Sequence, residues 1–253
     1  MLSIVYVNAC ADKSSSKKLN FIGERNARAL LLAKLALKYN GDLIYVNDWS
    51  PVAMSELSRV LGATGYSQFL PKEFEMEKEP GRYSAVSVLF VKETIPFKQE
   101  YRPVGTFETI YRYIMGKIEK KNITLVLKCN HIPPADENSL EVTERRKGRM
   151  LLDDIEFMNQ MSAKEECAIA FGDYNGNRGA YNYVCQRELN MIPWHDVLKV
   201  PTYGDKQLDH VFVSPALEER YVVSAEAIDE GYMQLTDHKL IKITVEAKER
   251  LIP

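Results

Sequence analysis

The stretch Cys167-Ala168-Ile169-Ala170-Phe171-Gly172-Asp173-Tyr174-Asn175-Gly176-Asn177 constrains this chain more than any other. An apolar run stops at a glycine, and an acid and an amide follow two residues apart. The run reads as a fully buried strand bounded by a turn signal. Beyond a strand end the chain stops alternating faces, so Asp173 and Asn175 can both be aimed into one cleft. One carries a charge and the other is a neutral donor and acceptor. That is equipment for holding a phosphate oxygen beside a water, or a hydrated metal. Taken alone, Gly-Asp-x-Asn is also an ordinary turn composition. Its weight comes from partners elsewhere in the chain.

Around this stretch the sequence alternates strand and helix patterns. Leu2 to Val7 is β-rich and ends at Asn8, and the serine-rich segment from Ala11 to Phe21 reads as a loop. From Glu24 to Tyr39, Ala27, Leu30, Leu31, the Lys34 stem, Leu35 and Leu37 recur at helical spacing, with Asn40-Gly41 as the stop. Leu43 to Val46 is a strand closing at Asn47-Asp48. Pro51 stands where a helix can start, and Met54 to Leu61 continues it. Leu70 to Arg82 reads as a charged surface loop, and Ala85 to Val91 as a strand. Phe107 to Glu119 has helical periodicity, yet the Lys120-Lys121-Asn122 turn before the strand Ile123 to Cys129 suits a hairpin equally well. A helix is expected from about Ser139 to Met161, with Asn138 as its cap, and a helical stretch running to Leu189. Leu208 to Ser214, Tyr221 to Ile228 and Leu240 to Glu246 are strands. Such alternation is the mark of a layered α/β body, and no repeat or linker divides its 253 residues, so one domain is expected.

Polar residues recur at the ends of these strands. Asn8 follows the first, Asp48 the second, and Asn130-His131 the strand from Ile123. Asp173 and Asn175 follow the opening stretch, Asp209 leads the strand at Val211, and Asp237-His238 precedes the last. Ligands in layered sheets gather at strand ends. Two of the four histidines are in this set, each beside an acid or an amide.

Charge and cysteine content narrow the class. A net charge of −2 supplies no global positive field to draw the chain to nucleic acid. The four cysteines, Cys10, Cys129, Cys167 and Cys185, lack zinc-type pairing and read as buried reduced thiols. The N-terminus has no basic region followed by an apolar stretch, and no run approaches membrane-spanning length. The expectation is a cytoplasmic, unanchored chain, with no protein partner implied.

These ordered motifs resemble the endonuclease/exonuclease/phosphatase superfamily, the fold of pancreatic deoxyribonuclease, abasic-site endonucleases, inositol-polyphosphate phosphatases and neutral sphingomyelinases. The matching stretches are Val7-Asn8, Leu43 to Asp48, Asn130-His131-Ile132-Pro133, Gly172 to Asn175, Pro201-Thr202-Tyr203-Gly204 with Leu208 to Ser214, and Thr236-Asp237-His238. Each is short; their order along nearly the whole chain carries the resemblance. It implies a four-layered α/β/β/α sandwich of two mixed sheets flanked by helices, and it turns Phe107 to Asn130 into a hairpin.

The resemblance also implies roles. His238, paired with Asp209, would be the general base for an attacking water. An imidazole titrating near neutrality with a carboxylate fixing its tautomer suits that task. Asp173 and Asn175 would orient the water and contact the scissile phosphate, and His131 would stabilise or protonate the leaving group. Asp48 and Asn8, with Asp237, would hold a divalent metal, Mg²⁺ first and Mn²⁺ as the alternative. The implied substrate is a phosphodiester, with nucleic acid leading, small or lipid-derived phosphates second, and an inactive phosphate-binding module as the rival of another class. Two departures stand out. Asp48 occupies a position where relatives carry glutamate, and the sequence offers no acid to orient His131.

Taken one at a time, several residues have plainer readings. Asp209 can cap a strand turn, and Asn8 can be a turn residue. His210 alternates to the face opposite Asp209 and reads as structural, and His195 beside Trp194 as part of a packed loop. The run Glu144 to Arg149 reads first as a solvated helix face and second as a phosphate-contacting edge, and Tyr181 and Tyr183 read as packing residues rather than base-stacking platforms.

Overall fold

A computed structural model describes residues 1–9, 22–49, 54–71, 86–100, 112–132, 140–175, 191–229 and 236–248. The expectations for Ala11 to Phe21, Pro51, most of Leu70 to Arg82, Phe107 to Tyr111, Asn138 and the stretch up to Leu189 lie outside them, as do Cys10, Cys185, Tyr181 and Tyr183.

Two six-stranded mixed sheets face each other. The first is built from β1 (Leu2–Asn8), β2 (Leu43–Trp49), β3 (Tyr66–Phe69), β4 (Val86–Lys92), β11 (Tyr221–Ile228) and β12 (Leu240–Ala247), in the spatial order β11-β12-β1-β2-β4-β3. The second is built from β5 (Phe97–Glu100), β6 (Tyr113–Lys120), β7 (Ile123–His131), β8 (Ala168–Asp173), β9 (His195–Asp196) and β10 (Asp209–Val213), in the order β5-β6-β7-β8-β10-β9. One parallel pair lies at the heart of each sheet, β1 with β2 and β7 with β8. Helices α1 (Ile22–Lys38) and α2 (Met54–Gly62) cover the outer face of the first sheet, and α3 (Leu140–Ala163) that of the second. A short helix, α4 (Pro215–Arg220), joins β10 to β11. This is the four-layered α/β/β/α sandwich.

Strand periodicity builds the layers. Along β1, Leu2, Ile4 and Tyr6 face the opposing sheet while Val5 and Val7 face the helices, as side chains on alternate faces of a pleated strand must. The same alternation puts Leu43 and Tyr45 of β2, Leu127 and Cys129 of β7, and Ile169 and Phe171 of β8 into the inter-sheet core. Burying each such side chain contributes about 1.5–3 kcal/mol. Tyr6, Tyr45 and Phe171 meet across the sandwich, with ring centroids 5.5–6.1 Å apart.

Two local readings are corrected, and one left open is decided. Between the helix that periodicity favoured and the hairpin that the resemblance implied, the described part of the segment is the hairpin β6–β7: Tyr113 pairs with Asn130 and Lys120 with Ile123. Its β-branched and aromatic content and its turn outweigh the helical spacing once a second strand pairs with it. In α1 the buried face is Ala29, Leu32, Ala33, Leu35 and Ala36, whereas Leu31 and Lys34 are exposed. Small alanines let the helix lie close on the sheet, which hydropathy counting undervalues. His195 is solvated rather than packed; it pairs with Glu218 at 3.0 Å, while Trp194 is buried and donates to Ser162. No helix among the described residues is long and apolar enough to cross a membrane.

Candidate active site

The inward-facing stripe of each central strand ends in a polar residue, and these ends converge. Asn8 ends β1, His131 ends β7, Asp173 ends β8 and Asp209 begins β10. Pairing fixes their mutual positions. His131 lies beside Asp173 in the parallel β7–β8 ladder, and Asp209 lies opposite Asp173 in the antiparallel β8–β10 pair. Asn8, His131, Asp173, Asp209 and His238 are all at most 7% exposed. Burying that much polarity is tolerable only because the groups bond one another.

Asp209 Oδ2 accepts from Nδ1 of His238 at 2.8 Å, and its Oδ1 accepts from the Tyr6 hydroxyl at 2.5 Å. Asn47 Nδ2 donates to the Tyr6 oxygen at 3.1 Å, completing a chain from β2 to the histidine. Thr236 holds the His238 loop: its hydroxyl donates to the Asn8 carbonyl at 2.5 Å and accepts from the His238 amide at 3.1 Å. Asn8 Nδ2 donates to Asp173 Oδ2 at 2.9 Å and lies 3.5 Å from His238 Nε2. The same Asp173 oxygen is 4.0 Å from Nε2 of both His131 and His238. Ligand-type atoms of Asp173, Asp209 and His238 all fall within 4.8 Å of one another.

The opening motif is held by its own turn. Asn175, at φ 47°, donates its backbone N–H to Asp173 Oδ1 at 2.8 Å and its side-chain amide to the Ile132 carbonyl at 2.8 Å. Asparagine tolerates this left-handed conformation and favours such turns. Its side-chain nitrogen therefore braces β8 against the end of β7. Gly172 is required by space: at φ 140° a Cβ there would stand 1.9 Å from the Asn130 carbonyl oxygen.

Asp48 stands where the alternation of β2 breaks. Asn47 continues the inward stripe of β2, so Asp48 would face outward. The β2–β4 register shifts between Val46 and Trp49, and Asp48 takes φ 49°. A bulge of this kind re-aims a side chain, and the Asp48 charge is among those acting on Asp173. Asp42, at the other end of β2, instead accepts the Ser3 amide at 2.9 Å and pairs with Lys120. Glu56 pairs with Arg59 on the surface. Asp237 Oδ1 lies 4.0 Å from His238 Nε2. His210 faces away, bonded to Asp196 at 2.7 Å and stacked on Phe212.

Electrostatics divide the site. Burial pushes the Asp173 carboxyl up to about 7, reinforced by Asp209 and Asp48. Burial opposes charge on His238 too, but Asp209, Asp173 and Asp237 outweigh it and hold the imidazole up at about 9. Burial would also raise Asp209; the His238 charge and the hydrogen bonds of His238, Thr202 and Tyr6 bring it below its ordinary value. His131 is pushed well below the ordinary histidine value, by burial first and then by the charges of Arg112 and His238. Arg112 is the partner that sequence reading missed, its Nη1 standing 3.1 Å from His131 Nδ1. The hairpin register that pairs Tyr113 with Asn130, had it been assigned, would have pointed to it.

No protein-family model and no curated protein matches the sequence. Solved structures do match. Beta toxin from Staphylococcus aureus is 17% identical with a TM-score of 0.70, covering 96% of this chain and 99% of that one. An AP endonuclease from Archaeoglobus fulgidus is 13% identical at 0.69, with the same coverages. TDP2 from D. rerio, complexed with single strand DNA product, is 15% identical at 0.65, covering 97% of this chain and 99% of that one. The neighbours share the deoxyribonuclease-I-like sandwich of the endonuclease/exonuclease/phosphatase superfamily, and the fold that the motifs led us to expect is the fold found.

Proposed function

We propose that this chain, with its deoxyribonuclease-I-like sandwich, is a divalent-metal-dependent phosphodiesterase. One observation carries the reading: acids, amides and imidazoles from both sheets, up to 230 residues apart in sequence, converge in one buried cleft. A framework needs no such gathering of titratable groups, whereas acid–base chemistry does.

His238 is the base. With Nδ1 bonded to Asp209, Nε2 is the atom that takes the proton of an attacking water. Tyr6 and Asn47 keep Asp209 fixed and ionised. Asp173, which faces Nε2 of both imidazoles, orients the water, and Asn175 braces the turn that presents it. His131 stands across Asp173 from the base, facing the phosphate.

The donor set fits a hard divalent cation. Four carboxylates, Asp48, Asp173, Asp209 and Asp237, act on a site whose cations are His238 and, behind His131, Arg112. Asp48 and Asp237 with the Asn8 amide oxygen would hold Mg²⁺, or Mn²⁺ in its place, because both oxygens of Asp209 are committed to Tyr6 and His238. Such an ion supplies Lewis-acid neutralisation of phosphate charge and offsets the anionic field that keeps His238 protonated.

Nucleic acid is the leading substrate, supported by the AP endonuclease and the DNA-bound TDP2 among the fold's neighbours. The small net charge of −2 favours a second reading, a small or lipid-derived phosphodiester, because Lys and Arg neutralisation dominates nucleic-acid affinity. Plasmid DNA, RNA, nucleotides and a chromogenic phosphodiester, each with Mg²⁺ and with chelator, separate these. Cleavage confined to soluble phosphomonoesters sinks the phosphodiesterase, and no hydrolysis with any divalent ion leaves an inactive phosphate-binding module.

A further inference from the structure

We infer that Arg112 is a positioning residue that fixes His131 as its Nε2–H tautomer, so that this ring offers the substrate a neutral N–H donor. The chemistry of the contact dictates the direction of the hydrogen bond. A guanidinium carries donors only and does not deprotonate in proteins. Nδ1 of His131, 3.1 Å from Arg112 Nη1, must therefore be the ring's acceptor nitrogen, and the proton of the neutral ring resides on Nε2. That nitrogen is the one turned toward Asp173 Oδ2, 4.0 Å away.

The fold builds this contact. Tyr113 pairs with Asn130 at the end of the β6–β7 ladder, so one step further residue 112 stands across from residue 131. Cross-strand neighbours share a face, and here it is the inner face, continuing Ile114 and Ile118 on β6 and Leu127 and Cys129 on β7. His131 is buried, and Arg112 closes the outer side of its ring from half-buried cover. Among the described residues, the charged groups facing the ring are Arg112 from the approach to β6, Asp173 from β8 and His238 from the segment before β12.

A carboxylate in the place of Arg112 would act in the opposite sense. It would accept from Nδ1–H, turn Nε2 into a lone pair in the neutral ring, and favour an imidazolium able to give up a proton. The arginine removes that option: His131 can stabilise charge on a phosphoryl oxygen through a hydrogen bond, and it is not the acid that protonates a leaving group. This functional sense rests on the phosphodiesterase reading; the tautomer itself does not.

The two are tested separately. Long-range ¹H–¹⁵N spectra of the ¹⁵N-histidine-labelled protein report each ring nitrogen directly. Nδ1 of His131 should resonate as an acceptor-type nitrogen and Nε2 as a protonated one, in the wild type and in Arg112→Lys, which retains a donor. Arg112→Met should show a shifted or mixed tautomer. A wild-type ring protonated on Nδ1 overturns the inference, as does an Arg112→Met spectrum identical to wild type. If Arg112→Met fails to fold, the wild-type spectrum alone still decides. In phosphodiester turnover, Arg112→Met should lower kcat about tenfold to a hundredfold, with KM nearly unchanged and partial recovery in Arg112→Lys. Absence of all turnover in the wild type would refute the phosphodiesterase and leave the tautomer result standing.

Discussion

His131 and His238 each bring Nε2 to 4.0 Å from the same oxygen of Asp173, yet their surroundings assign them different charge states. Burial, with an arginine behind the ring, holds His131 well below the ordinary histidine value; the aspartate behind His238 outweighs burial and holds it up at about 9. The site thus contains a neutral N–H donor and an imidazole of high proton affinity on either side of one carboxylate. Environments that push like groups apart are how one site divides acid–base labour.

The His238–Asp209 pair makes a signed prediction about stability in chelator. A histidine raised from about 6.5 in the unfolded chain to about 9 in the fold adds stability that is fully present below pH 6.5. That contribution disappears as pH rises from about 6.5 to 9. Urea denaturation at pH 6, 8 and 9.5 should register a loss on the order of 3 kcal/mol from this group, absent in His238→Gln. The same variant should lower kcat about 10²–10⁴-fold. A His238→Gln enzyme with undiminished turnover would remove the histidine from its role.

Asp173 contributes a slope of the same sign in a lower window. Its folded value of about 7 exceeds the unfolded value of about 3.9, so the fold favours the protonated form. Stability is present below pH 4 and declines as pH rises from about 4 to 7. Asp173→Asn should flatten that decline, while turnover falls at least about a hundredfold. Retention of the decline in the variant would mean that another group is responsible.

Tyr6→Phe isolates the buried brace. The change removes the donor to Asp209 Oδ1 and strands Asn47 Nδ2 without its acceptor. The expected cost is about 1–3 kcal/mol in chemical denaturation. Because Asp209 loses a bond to its ionised form, kcat should fall as well.

Gly172→Ala should be among the most damaging single changes in the chain. The added methyl would meet the Asn130 carbonyl at 1.9 Å, from a backbone conformation that favours glycine. A loss of about 3 kcal/mol or more is expected. A thermal melt within a degree of wild type would contradict the tight β7–β8 packing.

Divalent metal should bind through Asp48. Excess Mg²⁺ should raise the melting temperature of the wild type, as a ligand specific to the folded state does, and chelator should abolish turnover. Asp48→Asn should lose both the thermal shift and the turnover. An unchanged Mg²⁺ shift in Asp48→Asn would move the metal to other carboxylates.

Much of this protein can be read from its residues in order. Alternation of apolar and polar positions predicts the inter-sheet stripes, and Asn8, His131, Asp173 and Asp209 are legible because a polar residue ending a buried stripe has to be used for something. Gly172 is legible as a stop, although not as the contact with Asn130 that makes it indispensable. Three matters are settled only by the assembled sandwich. The choice at Tyr113 between helix and hairpin, open by spacing and tipped to the hairpin by the resemblance, needed a paired strand to decide it. The break in alternation at Asp48 needed a register shift set by pairing with β4. The charges of the two imidazoles needed Arg112 and Asp209, residues 19 and 29 positions away along the chain. Local patterning acts through the chain's own periodicity, so one strand carries it. A proton's affinity depends on burial and on charges a few ångströms away, which exist only after distant segments have met.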